Sequence, residues 1–336
     1  MKHFKHHSLL LIAILATTLL LPNTLLAQTT ELKFNTDRKF KIVQFTDIHW
    51  VYGNSNSDVA GERMAEVLDA EKPDLVVITG DLIFARPASK ALEKALEPII
   101  KRGLKFAVTW GNHDDEQDMA RAQLSDYIKD MPGNLTSTTE GVAGVTNYIL
   151  PIGSSEGNYN AATLYVFDSR TYSTIDGVKG YGWIENSQIE WYKRSSKAFT
   201  EKNGGKPLPS LAFFHIPIPE YNEAAADAGN YLVGTRKEKA CSPAINSGLG
   251  AAMLECKDVM GVFVGHDHIN DYATNWRGIL LCYGRYTGGN TVYNNMPGGN
   301  GARIIELTEG ERGFKTWIRI KEGKIINEVN FPADTK

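Results

Sequence analysis

Three short runs of β-forming residues, separated by two segments with helical periodicity, most constrain the fold of this chain. The runs cover residues 40–45, 75–79 and 104–109, and the helical segments cover residues 61–70 and 89–101. The second run contains no charged residue, which is typical of a strand buried on both faces. Strands joined by helices at this spacing pair in parallel through right-handed crossovers. The pattern therefore predicts an α/β fold.

The remainder of the chain also alternates between strands and helices and ends in consecutive strands. Helices are predicted over residues 115–129, 187–199 and 245–256, strands over 148–150, 163–167, 211–214, 262–264 and 279–283, and a β-meander over 302–307, 314–320 and 324–329. No segment is long and polar enough to be an interdomain linker. Residues 28–336 are therefore expected to form a single domain.

Residues 1–27 have the pattern of a secretory signal peptide. Lys2 and Lys5 precede an apolar run over residues 9–21, and the small residue Ala27 follows at the expected cleavage position. The run is short for a membrane-spanning helix, although an uncleaved membrane anchor is the alternative. We expect an exported protein, periplasmic or extracellular, that keeps no stable membrane anchor after cleavage.

The charge and the cysteines narrow the classes of partner and of fold. A net charge of −3 at pH 7 gives no basic field for a nucleic acid or an anionic membrane. Three cysteines are too few for a disulfide scaffold. In an exported protein Cys241 and Cys256 could form a disulfide, and reduced thiols are the alternative. Cys282 lies in an apolar run and is expected to be a buried free thiol. Nothing in the sequence sets the oligomeric state.

The positions of the histidines point to a site. Residues 28–336 contain five histidines, and each follows an apolar β-type run: His49, His113, His215, His266 and His268. A single histidine at such a position is most often structural, but no other histidine occurs in this part of the chain. The carboxyl ends of parallel strands meet at one edge of a sheet, where α/β proteins place their sites. Imidazole with carboxylate and amide side chains, and no thiolate, suits Mn, Fe or Zn.

The ordered blocks around these histidines resemble the calcineurin-like metallophosphoesterase superfamily. The shared pattern, in chain order, is D-x-H from Asp47, G-D from Gly80, G-N-H-D from Gly111, a lone His215 and G-H-x-H from Gly265. Residues 81–83, 214–219 and 264–271 look most like the purple-acid-phosphatase-like, or Dcr2-like, branch. The resemblance spans residues 41–290, and five blocks in order are far more specific than any one of them. It implies two facing mixed β-sheets flanked by helices, a four-layer sandwich with metals at the strand ends.

The resemblance also implies roles for the individual residues. The first metal ion would be held by Asp47, His49 and His268, the second by Asn112, His215 and His266, and both by a bridging Asp81. His113 is similar to an outer histidine that contacts the phosphate and assists the leaving group. Phe84 stands where purple acid phosphatases have a tyrosine and protein phosphatases have an aspartate that orients this histidine. Asp114 is therefore the candidate partner of His113.

The function implied is hydrolysis of a small phosphate ester by a hydroxide held between the two metal ions, with His113 as the catalytic acid. A phosphomonoesterase is favoured. A phosphodiesterase on the same site is the alternative, followed by a non-catalytic metal-binding protein. The predicted substrate contacts are Asn112, His113 and Arg285. Trp50, Tyr52 and Tyr286 are further candidates, with packing or surface positions as the alternative for each.

Overall fold

The computed structural model describes residue 1 and residues 32–335, so the signal peptide predicted for residues 1–27 lies outside the described residues except for Met1. The strands and α-helices are β1 (Leu32–Lys33), β2 (Lys39–Phe45), α1 (Ser55–Glu71), β3 (Leu75–Thr79), α2 (Ala88–Ile100), β4 (Phe106–Thr109), α3 (Arg121–Ile128), β5 (Tyr148–Gly153), β6 (Asn160–Val166), α4 (Asn186–Lys202), β7 (Ser210–Phe213), α5 (Glu220–Ala226), β8 (Leu232–Val233), α6 (Leu249–Cys256), β9 (Val259–Val264), β10 (Ala273–Trp276), β11 (Ile279–Tyr283), β12 (Gly301–Thr308), β13 (Phe314–Ile320) and β14 (Ile325–Phe331). Among the described residues, no helix has the length and apolar character needed to cross a membrane.

The strands form two mixed sheets. The larger sheet has eight strands in the order β1-β5-β6-β7-β9-β11-β10-β8, and the smaller has six in the order β14-β13-β12-β2-β3-β4. In the smaller sheet β2, β3 and β4 are parallel, whereas β12 runs antiparallel to β2. In the larger sheet β6, β7, β9 and β11 are parallel, and β10 is antiparallel to β11. The predicted α/β class with two mixed sheets is confirmed.

The sheets face each other and carry helices on their outer faces. Side chains alternate between the two faces of a strand, so Leu75 and Val77 of β3 pack in the core between the sheets, together with Phe213 and Phe263 of the larger sheet. Val76, the residue between them, faces the other way into a core shared with α1 and α2. Helices α4, α5 and α6 cover the outer face of the larger sheet. The result is the predicted four-layer sandwich, and it explains why β3 lacks charge on either face.

The structure differs from the prediction in one helix and contains elements that were not predicted, among them β1, α5, β8 and β10. The helix predicted over residues 115–129 is a short 3₁₀ turn, Asp114–Glu116, followed by α3. Strand β10 was not predicted, although a two-residue hairpin joins it to β11. Both turn residues have positive φ, 51° at Arg277 and 89° at Gly278, which is the conformation that short hairpin turns require. An Arg-Gly pair is a weaker hairpin signal than Asn-Gly.

The three cysteines are all free thiols. Cys282 is buried, as predicted, while Cys241 is exposed and Cys256 is half-buried. Of the two alternatives that the sequence left open for Cys241 and Cys256, the structure has reduced thiols.

Candidate metal centre

The residues predicted to bind metal all follow the carboxyl ends of neighbouring strands. In the smaller sheet, β2 precedes Asp47 and His49, β3 precedes Asp81, and β4 precedes Asn112 and His113; in the larger sheet, β7 precedes His215, and β9 precedes His266 and His268. All of them except His113 are buried. The structure therefore brings the predicted residues together where the two sheets meet.

Two groups of ligand atoms share one carboxylate. The first group contains Asp47, His49, Asp81 and His268, the second contains Asp81, His215 and His266, and within each group the ligand atoms lie within 4.8 Å of one another. Oδ2 of Asp81 lies 3.5 Å from Nε2 of His49 and 3.2 Å from Nε2 of His215. Asp81 thus stands between the groups, in the position of a bridging ligand.

Asn112 belongs beside the second group. Its Oδ1 atom lies 3.2 Å from Nε2 of His215. Its Nδ2 atom is buried and has no hydrogen-bond partner. The oxygen can therefore serve as a ligand, while the amide N–H remains available to another molecule.

Hydrogen bonds set the tautomers of two histidines. Nδ1 of His215 donates to the Thr79 carbonyl at 2.8 Å, and Nδ1 of His268 donates to the Tyr293 carbonyl at 3.0 Å. In the neutral form, each of these rings then carries its lone pair on Nε2. Nε2 of His215 lies 3.3 Å from Nδ1 of His266, and Nε2 of His268 lies 3.1 Å from Nε2 of His49. Ring nitrogens that converge in this way fit cations, and the donor set of imidazole, carboxylate and amide suits Mn, Fe or Zn.

Burial favours the neutral ligand form of His49 and His268. Burial lowers the pKa of His49 to about 3 and that of His268 to about 4, so both rings are neutral. Burial alone would raise the pKa of Asp81 and lower that of His215, but the attraction between the two groups prevails. It holds the pKa of Asp81 well below the usual range and raises that of His215 to about 9. Burial raises the pKa of Asp47 to about 7. A buried carboxylate without a compensating charge is costly, and cations at this position would relieve that cost.

The backbone at the ligands is strained. Asp47, His49, Asp81 and His266 all have positive φ, at 53°, 45°, 50° and 80°. Such a conformation costs roughly 1–3 kcal/mol per non-glycine residue and persists only where the surroundings enforce it. Gly265 is needed beside them, because a Cβ atom there would lie 1.9 Å from Oγ1 of Thr46.

Asp114 holds the loops that carry the ligands. Its carboxylate accepts the backbone N–H groups of Asp81, Leu82, Ile83 and Gly111 at 2.7–3.0 Å. These bonds tie the loop after β3 to the loop after β4. Asp114 is therefore not the partner of His113, as the sequence suggested, because both of its oxygens are engaged by backbone. The partner is Glu116, whose Oε2 lies 2.6 Å from Nδ1 of His113.

Arg285, predicted as a substrate contact, has a different position. Its guanidinium is fully buried and forms an ion pair with Asp271 at 2.5 Å. It also donates to the carbonyls of Pro297 and Gly299. With its donors used inside the protein, Arg285 does not present a cation to a substrate, and this prediction is corrected. Tyr286 is buried as well, with its ring centroid 5.3 Å from that of His268.

Several residues at the site were missed in the sequence. Tyr293 stacks on His268, with ring centroids 4.4 Å apart, and Tyr181 contacts His266 edge-on at 4.4 Å. Thr291 donates to the carbonyl of His49. They lie in loops outside the recognised blocks, so no motif marked them. Glu116 carried a signal, since an acid three residues after His113 is within reach of its ring in a helical turn.

The fold and the shared-carboxylate centre are those of a two-metal phosphoesterase. Residues 40–270 match the calcineurin-like phosphoesterase family, and the chain belongs to it. The resemblance seen in the sequence is confirmed.

Individual relatives are similar over most of the chain. A probable inactive purple acid phosphatase 29 of Arabidopsis thaliana is 33% identical over 92% of this chain and 89% of its own. Phosphatase DCR2 of Saccharomyces cerevisiae is 37% identical over 84% of this chain, which spans 54% of that protein. The crystal structure of a dimetal phosphatase from Danio rerio superimposes with a TM-score of 0.60 at 13% identity, covering 87% of this chain and 98% of that one. This last similarity supports the fold alone.

Proposed function

We propose that this protein is an exported, metal-dependent phosphoric ester hydrolase that acts on phosphomonoesters. One observation carries the proposal. Asp81 stands between two groups of buried ligands, and a histidine with a carboxylate partner lies beside them. Some relatives are named as probable inactive enzymes, so the proposal rests on the residues of this chain and not on theirs.

The metal ions, when bound by the two groups, supply Lewis acidity and an activated water at neutral pH. The protein contributes the other functions through its own side chains. The unpartnered Nδ2 of Asn112 is placed to donate to a phosphate oxygen. A donor held ready in a buried site stabilises charge that develops on that oxygen in the transition state.

His113 is placed to protonate the departing oxygen. Its side chain is 32% exposed, in contrast to the buried ligands, and can therefore reach a bound ester. Glu116 accepts from Nδ1 and so leaves Nε2 to exchange a proton with the substrate. Partial burial by itself would lower the pKa of His113, but the carboxylates of Asp81 and Glu116 outweigh it and raise that pKa.

The preference for monoesters and the export of the protein have support separate from the metal centre. The relative named phosphatase DCR2 supports the first, and the pattern of residues 1–27 supports the second. A phosphodiesterase would use the same centre, and only the esters that it hydrolyses distinguish the two.

The test compares the hydrolysis of phenyl phosphate, a monoester, with that of diphenyl phosphate, a diester, by protein reconstituted with Mn, Fe or Zn. We expect metal-dependent hydrolysis of the monoester with the higher kcat/KM. Faster hydrolysis of the diester would show that the protein is a phosphodiesterase. If neither ester is hydrolysed while both sites hold metal ions, the protein is not a phosphoesterase. Sequencing of the secreted protein tests export, with Gln28 expected at its N-terminus.

A further inference from the structure

Exposed aromatic rings are concentrated around the metal centre. The described part of the chain exposes five aromatic side chains: Tyr52, Phe84, Tyr159, Tyr172 and Tyr293. Phe84, Tyr172 and Tyr293 contact histidines of the centre, either directly or through one further ring. Together with the half-buried Tyr181, these three residues are called the aromatic collar below.

The collar contacts both groups of ligands and the acid. Phe84 lies edge-on to His49 and to His113, with ring centroids 5.5 Å and 5.4 Å apart. Tyr293 is 58% exposed and stacks on His268 at an interplanar angle of 27°. The rings therefore stand beside the first group of ligands and next to the group that would protonate the substrate.

The second side of the collar is a pair of stacked tyrosines. Tyr172 is 47% exposed and lies 5.6 Å from Tyr181 at an angle of 21°, and Tyr181 contacts the ligand His266. The Tyr172 hydroxyl donates to Glu116 at 3.3 Å and lies beside the Asn112 side chain. An open aromatic face is thus held next to the amide that is free to bind phosphate.

Clustered aromatic surface that is left open to solvent marks binding sites, because proteins otherwise bury such rings. Flat rings recognise other flat rings through offset stacking and edge contacts. Glu116 accepts the Tyr172 hydroxyl and so holds that ring beside the metal centre.

We infer that the aromatic collar selects esters whose departing group is a planar aromatic moiety. The inference rests on the proposed function, in which water adds to phosphorus, the P–O bond to this group breaks, and His113 gives the departing oxygen its proton. The products are the aromatic alcohol and inorganic phosphate. The metal centre and Asn112 hold the phosphate, and the collar holds the ring.

The test uses two esters that differ only in aromaticity. Benzyl phosphate and cyclohexylmethyl phosphate have leaving alcohols of similar size, and the collar variants below separate ring recognition from the small difference in leaving-group basicity. We expect kcat/KM to favour the benzyl ester roughly three- to tenfold.

Leucine variants assign the preference to the collar. Tyr293→Leu and Tyr172→Leu should bring the benzyl to cyclohexylmethyl ratio close to one with the metal content unchanged. The matched control is Tyr159→Leu, since Tyr159 is 60% exposed but precedes β6, at the opposite end of the sheet from the metal centre. That variant should keep the ratio of the unmodified protein.

The outcomes separate this inference from the proposed function. Turnover of both esters with equal kcat/KM overturns the aromatic preference and leaves the hydrolase proposal standing. If no ester is hydrolysed, the hydrolase proposal fails, and calorimetric binding of benzylphosphonate against cyclohexylmethylphosphonate to the metal-loaded protein decides the inference. Equal dissociation constants overturn it, and tighter binding of the benzyl compound that is lost in Tyr293→Leu supports it.

Discussion

Nδ1 of His113 lies 2.6 Å from Oε2 of Glu116, in the same 3₁₀ turn. The carboxylate thereby fixes the ring orientation and keeps the proton on Nδ1, so that Nε2 faces the substrate side. Glu116 also accepts the Tyr172 hydroxyl, and so joins the acid to the aromatic collar. This relationship makes Glu116 a positioning residue, which acts through His113 and not on the substrate.

Replacing this carboxylate should slow the reaction without removing metal. We expect Glu116→Ala to lower kcat for a poor alkyl leaving group roughly 10- to 100-fold, the range found when a partner that orients a metal-ligating histidine is removed. An activated aryl ester, which needs little protonation, should lose much less. Glu190→Ala, on the exposed face of α4, is the matched control. Equal losses on both esters would show that Glu116 has only a structural role.

Asp81 should be required for both metal ions, because its carboxylate lies between the two groups of ligands. We expect Asp81→Ala to retain fewer than two metal ions per chain and to lose activity, whereas Asn112→Ala weakens mainly the second site. Elemental analysis of the purified variants measures this. Two metal ions bound per chain in Asp81→Ala would rule out the bridging role.

His113 should contribute to the chemistry and not to metal binding. We expect His113→Ala to keep both metal ions and to lose roughly 10²- to 10⁴-fold in turnover of a poor leaving group. The loss should shrink as the leaving group becomes more acidic. The measurement is kcat across a series of esters, together with the metal content. Loss of metal in this variant would place His113 among the ligands instead.

The buried ion pair of Arg285 and Asp271 should be important for stability. Arg285→Met leaves the Asp271 carboxylate without its partner, and removal of one member of a buried pair costs about 3–5 kcal/mol. Urea unfolding measures the change. Arg277→Met, which breaks an exposed pair with Glu223, should cost less than about 1 kcal/mol. Unchanged stability of Arg285→Met with weaker phosphate binding would restore Arg285 as a substrate contact.

The cysteines should be reduced, and Cys241 should react slowly despite its exposure. Burial and the carboxylate of Asp267 raise the pKa of Cys241 to about 12. A raised pKa lowers the thiolate fraction at pH 8, so alkylation should speed up about tenfold per pH unit as the pH rises towards that value. Denatured, unreduced protein should take up one alkyl group at each of its three cysteines. A single alkyl group would show a disulfide.

The parts of the fold that the sequence predicts are those with a strong local pattern. The uncharged run of β3 and the helical spacing of α2 identified both elements. A strand buried on both faces and a helix buried on one face each leave a distinct pattern in the sequence. The hairpin of β10 lacked such a pattern, since its turn is Arg277-Gly278. The convergence of the ligands was predicted from the strand ends of a parallel sheet, which must meet at one edge, whereas their division into two groups was implied by the resemblance to the family.

The roles of individual side chains around the ligands were harder to predict. Asp114 and Glu116 are both acids close to His113 in the sequence, and only the path of the 3₁₀ turn decides which one faces the ring. Arg285 adjoins the site in sequence, but its guanidinium is buried beside Asp271. Such choices depend on the full surroundings of a side chain, which motif spacing does not contain.

The division of the ligands between the two sheets has a consequence for how metal binding and folding are linked. Asp47 and His268 are 221 positions apart in the sequence, yet their ligand atoms lie 3.7 Å apart across the meeting edge of the sheets. No fragment confined to one sheet contains a whole binding group, so the centre is not a local module that could be exchanged between proteins as a single segment. Bound cations would join the two halves of the chain, and their binding energy would count directly towards the stability of the entire sandwich. Metal starvation would then act on this protein as a general loss of folding stability.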